Sequence, residues 1–139
     1  MNQNEIHISL KIFEFSCEPS EISNRLRIES TKQGIKGETI SSKNGVVRIW
    51  PYNFWEYSIK IETNEFIENP INNYIKSIIE PRESELMHVI STCKSEFSVA
   101  QYYYTGHNPG LHLEPEAIKI ISKIGAGIDV DIYCLAEDE

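Results

Sequence analysis

Asp129 and Asp131 lie two residues apart in the run Ile128-Asp-Val-Asp-Ile-Tyr133. In a strand that spacing puts both carboxylates on one face. Paired carboxylates can bind a divalent cation, or one can act as acid and the other as base. Either chemistry needs a nucleophile or further ligands held beside the pair, and none can be assigned from the sequence. A polar, solvent-facing strand surface is therefore the expected setting of the two aspartates. His107 and His112, with Glu114 and Glu116 close by, offer a second group of ligand types. Their separation spans Asn-Pro-Gly, matches no established zinc-ligand spacing, and has no cysteine within it. A loop of exposed polar residues is expected there. His7 and His88 stand alone. Cys17, Cys93 and Cys134 are odd in number and far apart, which argues against a disulfide framework or a zinc site. Each lies beside or within an apolar pattern, so small buried thiols are expected. No Gly-x-Ser-x-Gly, His-Glu-x-x-His or Gly-x-Gly-x-x-Gly motif occurs. No catalytic residue, metal ligand or cofactor is assigned.

The elements that must position these residues follow from periodicity. Ile6, Ile8, Leu10 and Ile12 alternate with His7, Ser9, Lys11 and Phe13, the pattern of a half-buried strand. Glu18-Pro19 opens a short helix whose apolar edge carries Ile22 and Leu26 and extends toward Ile28, since proline is tolerated in a first helical turn. Ser30 to Gly45 reads as a loop, and its glycines and lysines lack Walker spacing. Asn44-Gly45 is a hairpin dipeptide. Strands are expected over Val46–Trp50 and Trp55–Glu62. Between and within them Trp50, Tyr52, Phe54 and Trp55 form an aromatic knot, read as a turn plugged into the core edge, with a binding lip as the alternative. Ile71, Tyr74, Ile75, Ile78 and Ile79 predict a helix that Pro81 ends, and Leu86 to Cys93 predict another. The pair has no basic recognition face and is not read as binding DNA.

A strand over Glu96–Thr105 leads to a turn-rich loop and then to the most legible stretch of the chain. There Glu114-Pro115 opens a helix with Ile118, Ile121 and Ile124 as its apolar stripe, widened by Ala117 and Ile120. Gly125 and Gly127 end it. The closing strand sets Ile128, Val130 and Ile132 against Asp129, Asp131 and Tyr133.

The 139 residues suit one domain, residues 1–139, with a sizeable core. No apolar run could span a membrane, and the polar, acidic start lacks the pattern of a signal peptide, so a cytoplasmic protein is expected. The net charge of −8 counts against binding nucleic acid or an anionic membrane; it permits attraction to a basic protein partner, with acidity for solubility alone as the more expected reading.

With the whole pattern in view, the chain resembles a bacterial family of domains of unknown function, DUF4279. The resemblance rests on the opening strand into Cys17-Glu-Pro-Ser-Glu-Ile and the Lys36-Gly37-Glu38 loop. It rests also on the Trp-containing strand before a proline-led helix pair, and on Leu113-Glu-Pro-Glu through Ile128-Asp-Val-Asp-Ile-Tyr. It implies a small cytoplasmic α+β domain and supplies no catalytic residues. In size, charge and type such domains are similar to immunity proteins that neutralise toxins, an analogy with no shared motif.

The expected fold is a single α+β domain: a mostly antiparallel sheet of about five strands with helices packed mainly on one face. The opposite face then collects His7, Ser9, Lys11, Asp129, Asp131 and Tyr133 with alternate members of Gln101 to Tyr104. Asp129, Asp131, Tyr133, Tyr102, Tyr104 and Lys11 are the candidate partner-binding residues. Tyrosines supply rigid contact area, and the carboxylates would meet Arg or Lys. The expected function is a non-enzymatic protein-binding domain of the immunity type, which occludes a basic, cognate toxin. The alternative is a small-ligand or metal-binding domain, or an enzyme of unknown reaction, using the Asp129/Asp131 face or the His107 loop.

Overall fold

The computed structural model describes residues 3–62, 68–104 and 110–135. In chain order the elements are β1 (Glu5–Phe13), α1 (Pro19–Leu26), β2 (Lys32–Gly34), β3 (Thr39–Lys43), β4 (Val46–Ile49) and β5 (Phe54–Glu62). There follow α2 (Glu68–Tyr74), α3 (Glu83–Ile90), β6 (Lys94–Tyr103), α4 (Pro115–Ile124) and β7 (Gly127–Cys134). The main sheet has the order β2-β5-β1-β6-β7. Every pairing in it is antiparallel except β6 with β7, which are joined through α4 as a parallel crossover. The fold is α+β, with a mixed, mostly antiparallel five-stranded sheet and helices packed against it.

Alternation in β1 decides which face is covered. Ile6, Ile8, Leu10 and Ile12 are each no more than 2 % exposed. They pack with Ile22 and Leu26 of α1, Ile71 and Tyr74 of α2, Leu86 and Val89 of α3, and Ala117 and Ile121 of α4 in one core. Burying side chains of this size contributes about 1.5–3 kcal/mol each, so this single face carries most of the stabilisation. The stripe of α4 is rotated from the expected one: Ala117, Ile121 and Ile124 are buried, while Ile118 is 48 % exposed. Both Glu-Pro helix starts have an extended N-cap glutamate followed by proline, and both helices end on a left-handed residue, Arg27 or Gly125.

Residues 30–45 are not one loop. β2 pairs with β5, and its polar Lys-Gln-Gly has no apolar alternation to reveal it. Thr31 fastens the approach, its N–H donating to Glu56 C=O at 2.8 Å. β3 and β4 form a separate hairpin on Asn44-Gly45, both with positive φ as the turn demands. The strand expected at Val46–Trp50 thus lies outside the main sheet, and β2 takes its place.

Pro81 does not stop the helical segment. From α2 the chain passes through one π-helical turn (Ile75–Ile79) and one 3₁₀ turn (Glu80–Arg82) into α3. Proline supplies no backbone donor here, and Arg82 contributes others: Nη1 to Ile78 C=O at 3.0 Å and Nε to Leu26 C=O at 2.8 Å. The same guanidinium therefore ties α1 to the irregular turn. Tyr74 does comparable work inside the sheet, its hydroxyl accepting from Leu10 N–H at 3.0 Å and donating to Tyr57 C=O at 2.6 Å.

Candidate functional site: the uncovered face of the sheet

Side chains of β1, β5, β6 and β7 that alternate with the core residues share the opposite face, and among the described residues no helix lies over it. The register sets them in rows across the strands. The first row is Glu62, Glu5, Tyr102 and Tyr133. The second is Lys60, His7, Ala100 and Asp131. The third is Ser58, Ser9, Ser98 and Asp129.

Tyr102 and Tyr133 stack with ring centroids 4.9 Å apart and planes 17° apart. His7 meets Tyr102 edge-on at 5.2 Å, and its Nε2 lies 3.3 Å from Glu5 Oε2. Lys60 reaches Glu62 at 3.1 Å and Glu5 at 3.6 Å; the hydrogen bond to Glu62, then the field of Glu5, holds its amine above the usual lysine range. Beside this aromatic corner the cross-strand neighbours of Asp131 and Asp129 are small, Ala100 and Ser98, so neither carboxylate is walled in. Asp131 is exposed and Asp129 half-buried. Among the described residues neither side chain has an ion-pair partner. The corner thus presents stacked phenols and two uncompensated carboxylates to solvent.

Of the candidate residues, Tyr102, Tyr133, Asp129 and Asp131 come together on this face. Lys11 shares the face but stands opposite Glu56 and Glu96, in a band of alternating charge, rather than opposite the aspartates. Tyr104 lies beyond the end of β6, its N–H held by the buried Asn4 side chain at 2.8 Å. His107 lies outside the described residues. His112 stands 3.4 Å from Glu114. Among the described residues no three His, Cys, Asp or Glu side chains converge closely enough to hold a metal ion. The expectation of three buried thiols is corrected: Cys17 and Cys93 are half-buried against the core, whereas Cys134 on edge strand β7 is exposed.

Strand parity splits the aromatic knot. Trp55 enters the core, 1 % exposed, its Nε1 donating to Ser23 at 3.0 Å. Phe54 takes the uncovered face, where Trp50 stacks on it at 5.1 Å and Tyr52 lies 5.3 Å from Phe13. A second aromatic cluster therefore closes the far end of the same face. Sequence reasoning missed this arrangement, although alternation from Phe54 onward carried the signal. A cleft of about 1050 Å³ opens between the α2–α3 segment and α4, lined by Asn73, Ile75, Lys76, Glu83, Ile120 and Lys123. The Lys123–Glu83 ion pair at 2.5 Å lies in its wall, and none of the partner-binding candidates borders it.

Fold and face together define a small α+β domain with one side of its sheet free of helices among the described residues. The chain belongs to the DUF4279 family: it matches the family described as Domain of unknown function (DUF4279) over residues 4–135. No curated protein and no solved structure matches it. No helix among the described residues is long and apolar enough to cross a membrane.

Proposed function

We propose that this chain is a non-enzymatic protein-binding domain that receives a basic surface of a partner on the uncovered sheet face, at the corner formed by β6 and β7. The observation that carries this reading is the Tyr102–Tyr133 stack beside Asp129 and Asp131, whose carboxylates have no ion-pair partner among the described residues. Stacked tyrosines are rigid anchors that lose little entropy on binding, and exposed carboxylates steer and orient a cationic partner. The chain's charge of −8 adds a long-range attraction of the same sign.

By analogy of size, acidity and type, the partner is a bacterial toxin domain that this protein occludes, acting as an immunity protein in the cytoplasm. Three unpaired cysteines agree with a reducing compartment. The reading is tested by mixing the purified chain with its captured partner and measuring affinity against salt. A complex that weakens with rising salt, and weakens further in Asp129→Lys and Asp131→Lys, is the expected result. A complex indifferent to both substitutions would place the contact elsewhere.

A further inference from the structure

β7 is an edge strand of eight residues, and among the described residues no strand pairs with its outer side. Leu135 N–H donates to Tyr103 C=O at 2.7 Å, which sets the direction of the peptide groups. Peptide groups alternate along a strand, so those of Asp129, Asp131 and Tyr133 turn toward β6, and those of Ile128, Val130, Ile132 and Cys134 turn outward. The opposite edge, β2, is only three residues long. The side chains flanking the free edge of β7 divide by face. Ile128 and Ile132 are 44 % and 42 % exposed on the helix side, where burial would be favourable. Asp129 and Asp131 lie on the uncovered side.

Natural proteins guard such edges because unpaired N–H and C=O groups template another strand. Here the guard is selective. An antiparallel pairing of two copies centred on Val130 would set Asp129 against the copy's Asp131, and an in-register parallel pairing would set each aspartate against itself. Like charges directly opposite are destabilising. A strand bearing Lys or Arg at alternate positions, with apolar residues between, would meet opposite charge on one face and Ile128 and Ile132 on the other. We propose that β7 is a docking edge, and that an extended segment of the basic partner with this alternation adds to it as a sixth strand of the sheet. This rests on the functional reading above and names the form its partner takes.

The probe is an end-blocked synthetic peptide alternating valine and lysine, with a peptide of valine and glutamate as control. Both are titrated into the full chain while amide exchange is followed by NMR. Binding of the lysine peptide alone is expected, with exchange at Ile128, Val130 and Ile132 slowed at least about tenfold. Val130→Pro is expected to keep the fold, since an outward N–H serves no pairing with β6, and to lose the peptide. The protection map itself needs no variant, so the test stands even if that substitution unfolds the chain.

Absence of lysine-peptide binding overturns the inference. So does equal binding of both peptides, or a chain already self-paired through protected β7 amides. Lysine-peptide binding that depends on Asp129 and Asp131 without protecting the edge amides also overturns the docking edge, while leaving the functional reading of the face intact.

Discussion

Tyr102 and Tyr133 stack across the one parallel pairing of the main sheet, 4.9 Å between centroids, with Tyr102 also edge-on to His7. Their equal register places both rings on the same face, and the crossover through α4 brings them together from positions far apart in sequence. Because the face is uncovered, replacement should affect binding more than folding. Tyr133→Ala is expected to cost about 1 kcal/mol of stability, the scale of an aromatic pair, and about 2 kcal/mol or more of partner affinity. Urea unfolding and titration calorimetry measure the two quantities. A loss of stability with unchanged affinity would make the stack merely structural.

Tyr74 is the opposite case, a buried polar group with a structural task. Its hydroxyl connects Leu10 N–H to Tyr57 C=O across the β1–β5 pairing. Tyr74→Phe leaves both groups to find each other or go unpaired, an expected loss of about 1–3 kcal/mol. Burial pushes the Tyr74 phenol well above its ordinary pKa. The sign follows: below the unfolded pKa near 10 its contribution is complete, and above it the unfolded chain ionises while the fold stays protonated. Stability should therefore fall by about 1.4 kcal/mol per pH unit above pH 10. Unfolding curves at pH 8 and pH 11 should diverge less in Tyr74→Phe than in the unsubstituted chain; parallel pH profiles would contradict this.

Gly34 makes room for Trp50. A Cβ there would fall 2.1 to 2.4 Å from indole atoms, so Gly34→Ala must displace the ring from its stack on Phe54. An overpacking cost of about 1–3 kcal/mol is expected. The Trp50 indole N–H resonance should move while that of Trp55, in the core, stays. An unmoved Trp50 resonance with full stability would contradict the packing.

Much of this architecture was legible because a period of two survives folding. Alternation from Ile6 to Ile12 and from Ile128 to Tyr133 assigns faces without tertiary knowledge, and this grouped Tyr102, Tyr133, Asp129 and Asp131. It failed where backbone pairing rather than side-chain pattern makes the element. Lys32-Gln33-Gly34 joins the sheet through hydrogen bonding to β5, with no apolar signature. Isoleucines on more than one side of α4 leave its buried stripe undecided in the sequence, and only packing selects Ile121 and Ile124 over Ile118. Cys134 looked buried because its strand is apolar, but an edge strand leaves its end in solvent. Alternation assigns Lys11 to its face but not to its row opposite Glu56 and Glu96, since strand order is not written in local pattern.

The two partly buried thiols should be slow to react. Burial, with the neighbouring Cys17, pushes Cys93 up to about 11, and burial and the field of Glu21 raise Cys17. The Cys93 contribution to stability is present below the unfolded thiol value near 8.5 and lost as pH rises toward 11. Mass-resolved alkylation of the native chain at pH 8 should modify the exposed Cys134 first and Cys93 last. Simultaneous modification of all three would contradict this burial.

The measurement that bears most directly on the binding face is parallel affinity capture from the lysate of the source organism, using the unsubstituted chain and the Asp129→Lys/Asp131→Lys chain. Both substitutions lie on a solvent-facing strand surface, so stability should change by no more than about 0.5 kcal/mol each, and circular dichroism checks this. The account predicts a stoichiometric basic protein on the unsubstituted chain, toxic when expressed alone, and its loss from the folded variant. A partner retained equally by both chains would contradict the assignment of the uncovered face.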